Sequence, residues 1–499
     1  MGRCAALIAW LLWLPTMQVG AASRPNIVFI LADDLGWGDP GCYNAQSRIP
    51  TPAMDRLAAE GMRLTDMHSP SAVCTPTRYG LMTGRYAWRT RMKSGVLWGW
   101  SPPLIETGRL TLPALLQSRG YVTGGFGKWH LGLGWQTRRA SEGRDLDRLG
   151  PDPQVVDYSK PLRGGPHTAG FDQYFGIPAS LDMEPYVWIE GARCVEAPVA
   201  WTPGDKSQRG DGGGFYRPGP IAPGFHVGDV LPMITDRAIR FIEEQSTAPA
   251  KRPFFAYIPL TSPHDPWLPH AGYVGSSSAG PRGDFVVQTD ACLARVLGAL
   301  DRLSVANDTL VVFTSDNGGH WLPADIKKTG HLANGPWRGQ KSDIHEAGHR
   351  VPCLVRWPGK ITLGSTSDRM VCLVDWMATL GEITGSNLPR NSAEDSFSFA
   401  SVLLGKAAAT PARQSLVLHS GNGVFAIRRG SMKLVEGLGS GGFTQPAKVE
   451  PVPGGPIGQL YDLSADPVES RDLYSGAPEV VESLSAELEG IRKRGRSRQ

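Results

Sequence analysis

Cysteine is scarce in this chain: seven of 499 residues. That density is far below a disulfide-built scaffold. With Cys4 and Cys74 set aside, Cys42, Cys194, Cys292, Cys353 and Cys372 remain, an odd number that cannot all pair and leaves room for one or two bridges. Long apolar runs are missing after the N-terminus. The one near it, Cys4 to Leu14, is too short to span a bilayer. Arg3 precedes it, and Pro15 and small residues up to Ala21-Ala22 follow, so residues 1–22 read as a secretory signal peptide cleaved after Ala22. This predicts an exported protein, periplasmic or secreted, with no membrane attachment after cleavage. Runs of Lys and Arg are absent until Arg492-Lys493-Arg494-Gly495-Arg496, and the net charge is only +4. A nucleic-acid partner is therefore not expected, and the basic tail reads as a solvated, frayed end. There is no internal repeat.

What is present is a large apolar fraction, 41%, enough for one sizeable core and a smaller appendage. Ile27-Val28-Phe29-Ile30-Leu31 is a continuous apolar run, the pattern of a strand buried on both faces. Similar runs predict strands at Tyr121 to Phe126, Phe254 to Pro259 and Thr309 to Thr314, with a helix from Phe285 to Leu303. Thr51 followed by Pro52 predicts a helix capped by the threonine and ended by Gly61. This alternation predicts an α/β fold whose large mixed, mostly parallel sheet is sandwiched by helices. The pattern changes near residue 386. Short alternating runs at Ser415 to His419, Val424 to Arg428, Met432 to Val435 and Gln459 to Leu463 predict a small antiparallel sheet, and Pro478 to Arg492 a helix. The expected division is a catalytic domain over 23–385 and a C-terminal subdomain over 386–499, with Gly/Pro-rich loops at Trp201 to Gly224 and Gly437 to Gly458.

Two acidic clusters directly follow buried strands: Asp33-Asp34 after the first, and Asp316-Asn317-Gly318 after Thr309 to Thr314. Alone, each would read as ordinary turn and cap residues. Together, at the carboxyl ends of strands where open α/β sheets bind ligands, they point to one shared hard cation. Three carboxylates and an amide oxygen are the oxygen-only set that Ca²⁺ prefers, with Mg²⁺ second. Cys74 opens the run Cys74-Thr75-Pro76-Thr77-Arg78-Tyr79-Gly80-Leu81-Met82-Thr83-Gly84-Arg85. The sequence places it at or just before a helix N-terminus, where the dipole would depress a thiol pKa. Gly127-Lys128-Trp129-His130-Leu131-Gly132, Gly176-Ile177-Pro178-Ala179-Ser180-Leu181-Asp182, Ser262-Pro263-His264 and Gly339-Gln340-Lys341 complete the set of polar motifs. His167, His270, His320 and His331 read as structural histidines away from the site.

The Cys74 run resembles the signature of the sulfatases, Cys-x-Pro-x-Arg followed by Leu-x-Thr-Gly-Arg, and the other motifs occur in that family's order from Asn26 to about Pro358. The resemblance implies an alkaline-phosphatase-like fold. It also implies oxidation of Cys74 to formylglycine by a formylglycine-generating enzyme, the hydrate being the nucleophile and a further metal ligand beside Asp33, Asp34, Asp316 and Asn317. Arg78 would orient the hydrate, Lys128 and Lys341 would bind sulfate with Ser180, His130 would assist turnover of the sulfated intermediate, and His264 would protonate the leaving group. His345 and Ala347 depart from the family's usual residues. The implied reaction is hydrolysis of a sulfated small molecule or saccharide. The competing readings are a phosphate or phosphonate monoester hydrolase of the same superfamily, and a non-catalytic carbohydrate-binding homologue.

Overall fold

The computed structural model describes residues 24–138, 155–207, 213–406 and 413–498; residues 1–22, expected to be a signal peptide, lie outside them. Ten strands form one sheet, in the order Ser365–Ser367, Met62–Leu64, Cys353–Arg356, Thr309–Ser315, Asn26–Ala32, Phe254–Pro259, Val122–Lys128, Gln173–Ile177, Ile189–Glu190 and Arg193–Cys194. The five from Thr309–Ser315 to Gln173–Ile177 are parallel, with Ile27 opposite both Phe255 and Leu310. Their apolar runs are buried on both faces, as continuous hydrophobic strands require. Antiparallel neighbours extend the sheet at both sides, making it mixed.

Helices Pro52–Ala59, Val230–Thr247 and Gly280–Arg302 cover one face, and Cys74–Thr83, Leu112–Gln117 and Trp376–Thr384 the other. Trp376 meets Phe29 edge to face, with ring centroids 5.5 Å apart. The helix beginning at Pro52 is not capped as expected. Thr51 makes no capping bond, its hydroxyl accepting instead from the Gly41 amide at 2.9 Å. Asp290 caps it from the neighbouring helix, accepting from the amides of Ala53 at 3.0 Å and Met54 at 2.8 Å. That neighbour begins at Gly280, not Phe285, because Pro281 starts the first turn and Asp284 accepts from Gly275 and Ser277 in the preceding loop.

The chain from Ser415 builds a four-stranded antiparallel sheet, Ser415–His419, Phe425–Arg429, Met432–Val435 and Gln459–Asp462, with Pro478–Arg494 packed on it. Its seam with the larger unit is both apolar and ionic. Tyr86, Trp88 and Ile344 enter its core. Arg428 clasps Asp66 at 2.8 Å, and the buried Lys433 ammonium lies 3.1 Å from Glu346, 3.0 Å from His349 and 2.9 Å from Glu469. A buried lysine so partnered locks the subdomain in one orientation, since removing one charge strands the others. This seam holds the His419–Gly421 turn against the site: Ala72 donates to His419 O at 2.9 Å, and Gly421 to Ser342 O at 2.8 Å.

All six described cysteines are free, with Cys292, Cys353 and Cys372 buried among apolar side chains, so the room for one or two bridges is not used among the described residues. One expectation fails here. The basic tail is not frayed: Arg492 pairs with Glu436 at 2.6 Å, and the Ser497 hydroxyl donates to Asp395 at 2.7 Å. A helix whose apolar side is buried delivers the tail onto acidic partners, and those ion pairs and hydrogen bonds hold it.

Candidate active site

The carboxyl ends of the parallel strands converge on one cavity of about 430 Å³. Cys74 is the first residue of helix Cys74–Thr83 and only 2% exposed. Its Sγ lies 3.7 Å from Asp33 Oδ1. Asp33 and Asp34 follow the central strand immediately, and Asp316 and Asn317 follow its neighbour, so parallel register brings the two clusters together. The Asp34 amide donates to Asp316 Oδ1 at 3.3 Å, and Asn317 Nδ2 donates to Asp34 Oδ1 at 2.7 Å. Gly318 allows this approach, because a Cβ there would stand 1.7 Å from Ala347 O. Asp34, His130 and Ser342, all at the site, adopt positive φ of 65°, 55° and 77°. Non-glycine residues are held there only where surrounding contacts over-determine them, a pattern typical of active sites.

Cations surround the acidic floor. Arg78 donates to Asp316 Oδ2 through Nη2 at 2.7 Å and Nε at 3.0 Å, and to Lys128 O at 3.0 Å. Lys128 Nζ lies 2.7 Å from Asp33 Oδ2 and 3.0 Å from Ser180 Oγ. Lys341 Nζ lies 2.8 Å from Asp34 Oδ2. Ser180 Oγ is 3.4 Å from the His264 ring, whose Nε2 is 3.8 Å from Asp34. All eleven residues singled out in the sequence thus lie within one connected arrangement or line its cavity. Lys128 is the last residue of its strand, which runs two residues beyond the expected end at Phe126.

Burial opposes ionisation of Asp33, but Lys128, His264 and Arg78 outweigh it and hold the carboxyl below its usual range. Lys341 does the same for Asp34 against a similar burial cost. Burial and the charge on Asp33 push Asp316 up to about 6. His130 is held neutral, first by burial and then by Lys128 and Arg78. Its Nε2 lies 2.6 Å from Leu97 O, so that nitrogen carries the proton, and Nδ1 is left as a base without a partner among the described residues. The expected depression of the Cys74 thiol is reversed: burial pushes it up to about 12. Desolvation beside Asp33 and Asp316 outweighs the dipole of one helix N-terminus.

The donor set fits a hard divalent cation. Asn317 Oδ1 is buried with no hydrogen-bond partner among the described residues, while its Nδ2 holds Asp34 and the Asp34 amide holds Asp316. Ligand atoms of Asp33, Asp34, Cys74 and His264 lie within 4.8 Å of one another.

Other lining residues were missed. His320, read as remote, is at the rim with Phe443 (ring centroids 5.1 Å apart), and Asn422 joins them from the small sheet. Asp182 and Arg217 form the facing wall. Only Asp182 carried a local signal, lying two residues beyond Ser180. Of the other three histidines, His331 is buried and paired with Asp39 at 2.8 Å, and neither His167 nor His270 lines this cavity.

A sulfatase family model matches residues 25–386. An N-acetylgalactosamine-6-O-sulfatase of Bacteroides thetaiotaomicron is 33% identical over 95% of this chain and 94% of its own length. Human arylsulfatase A is 32% identical over 93% of this chain and 87% of its own. A solved structure described under metabolism of multiple glycosaminoglycans by Bacteroides thetaiotaomicron has a TM-score of 0.80 at 32% identity, covering 94% of this chain and 99% of the other. A Pseudoalteromonas sulfatase shares the fold, with a TM-score of 0.70 at 23% identity over 96% and 92% of the two chains. The chain belongs to the sulfatase family of sulfuric ester hydrolases, built on the alkaline-phosphatase-like fold.

Proposed function

We propose that this exported enzyme hydrolyses sulfate monoesters of saccharides, using a formylglycine made from Cys74 and a Ca²⁺ ion held by Asp33, Asp34, Asp316 and Asn317. The observation that carries this reading is the orphaned, buried Asn317 Oδ1 in the network that joins Asp34 and Asp316, with Cys74 Sγ against the adjacent Asp33. Formylglycine supplies a hydrated aldehyde as nucleophile and the ion supplies positive charge against the ester oxygens. The chain's own residues do the rest. Arg78, fixed by Asp316, orients position 74. Lys128 and Lys341 bind the sulfate oxygens with Ser180 and stabilise the charge that grows on them. His130, with Nε2 held by Leu97 O and Nδ1 free to accept, would take up a proton at position 74. His264 donates to the leaving oxygen. Since Cys74 is buried at the floor of the folded site, the maturation enzyme acts before the chain closes over it.

Turnover of an N-acetylhexosamine 6-sulfate, 4-nitrophenyl sulfate and 4-nitrophenyl phosphate tests the reading. Both sulfates should exceed the phosphate; a preference for phosphate would overturn it. His264→Ala carries a further expectation. Losing a general acid costs about 10²–10⁴ in rate. The loss should be largest for a sugar hydroxyl and small for nitrophenolate, which leaves without a proton. Equal losses would reduce His264 to sulfate binding or packing.

A further inference from the structure

The wall opposite the small sheet holds a polar group that no catalytic step above uses. Asp182 lines the cavity, is 6% exposed, and lies two residues after Ser180, which itself touches Lys128. Its Oδ2 pairs with Arg217 Nη1, and its backbone carbonyl accepts from the Arg217 amide at 3.2 Å and from Nη1 at 3.1 Å. The guanidinium lies over two aromatic rings, 5.0 Å from the Trp98 centroid and 5.4 Å from that of Phe215. The Arg217 carbonyl accepts from Tyr186 OH at 2.7 Å, so both residues are fixed by backbone as well as side chain. Yet Asp182 Oδ1 is buried without a partner among the described residues. A buried carboxylate oxygen left unsatisfied is destabilising, and such a group calls for a donor.

We propose that Asp182 and Arg217 form the subsite for the sugar ring that bears the ester, and that this ring is a neutral hexose or hexosamine. The inference rests on the sulfate-ester reading above and adds what holds the rest of the substrate. A ring hydroxyl donates to Asp182 Oδ1, and Arg217 fixes the carboxylate that receives it. Phe215, and Phe443 across the rim, offer apolar surface to the C–H faces of a pyranose. The charge balance selects the ring. Lys128 and Lys341 lie at the sulfate end, whereas the Asp182–Arg217 pair is neutral as a unit. A uronate or second sulfate placed on Asp182 Oδ1 would set anion against anion in a water-poor pocket, and that repulsion excludes it. The cavity, about 430 Å³, is of a size for one sulfated monosaccharide.

The test measures KM for an N-acetylhexosamine 6-sulfate and, in the same assay, inhibition by inorganic sulfate, which reports on the sulfate end alone. Asp182→Asn keeps the side chain's shape and an acceptor for Arg217 but presents an amide where the hydroxyl donates. It should raise the ratio of KM to the sulfate inhibition constant by about 10- to 100-fold, the range for a hydrogen bond to a charged group. Arg217→Gln, read the same way, should move the ratio in the same direction and serves if Asp182→Asn fails to fold. A rise of KM and the inhibition constant by one common factor overturns the subsite. So does a wild-type preference for a 2-sulfated uronate over the hexosamine ester. Turnover of 4-nitrophenyl sulfate with none of the hexosamine ester overturns this inference alone; turnover of no sulfate ester overturns the proposed function with it.

Discussion

Replacing Cys74 with alanine is expected to leave a folded protein whose turnover is lower by on the order of 10⁶, the scale on which covalent catalysts fail without their nucleophile. The fold should tolerate the change, because Cys74 Sγ makes one weak hydrogen bond, at 3.7 Å to Asp33, and an alanine fits the same helix start. The loss is therefore chemical. In the active wild type, the peptide carrying residue 74 should be lighter than its cysteine form by about 18 Da, since –CH₂SH becomes –CHO with one sulfur and two hydrogens lost and one oxygen gained. A fully active sample showing only unmodified cysteine would overturn the formylglycine mechanism. Residual activity of Cys74→Ala close to wild type would overturn the role of position 74 itself.

The sequence exposed the floor of this site well because its chemistry is local to strand ends. Asp33-Asp34 and Asp316-Asn317 each follow a run of apolar residues long enough to be a buried strand, and adjacent parallel strands must bring such ends together. What stayed hidden are partnerships set by tertiary packing. Arg78 meets Asp316 across 238 positions, and Asp290 caps a helix 237 positions earlier. No periodicity signals either. The same holds for Asn422 and Phe443, carried to the rim by a subdomain whose own strands were legible but whose docking depends on Arg428 and Lys433 finding Asp66, Glu346 and Glu469. Burial also reversed a local rule: helix position alone lowers a thiol pKa, but the Cys74 environment raises it. The family resemblance gave Ser180 its role, and Asp182, two residues on, carried a local signal whose meaning comes only from Arg217.

Removing the divalent ion should abolish activity and lower stability together, and Asp316→Asn should reproduce both. Alanine at 316 is the wrong probe. Arg78 is fully buried and donates two of its hydrogen bonds to Asp316 Oδ2, so truncation strands a guanidinium at a cost of about 3–5 kcal/mol. Asparagine keeps the shape and a carbonyl acceptor while removing the charge that a hard cation requires. Elemental analysis of wild type is expected to give one Ca²⁺ per chain, and of Asp316→Asn almost none. Added Ca²⁺ at a hundredfold excess over Kd should stabilise chelated wild type by about 2.7 kcal/mol, read as a rise in Tm, and leave Asp316→Asn unmoved. Zinc should substitute poorly, because Asp33, Asp34, Asp316 and Asn317 offer only oxygen donors. Full activity after exhaustive chelation, with no metal found and no Tm response to Ca²⁺, would remove the ion from the mechanism. The carboxylates Asp33 and Asp34 would then serve only to hold Lys128 and Lys341 in place.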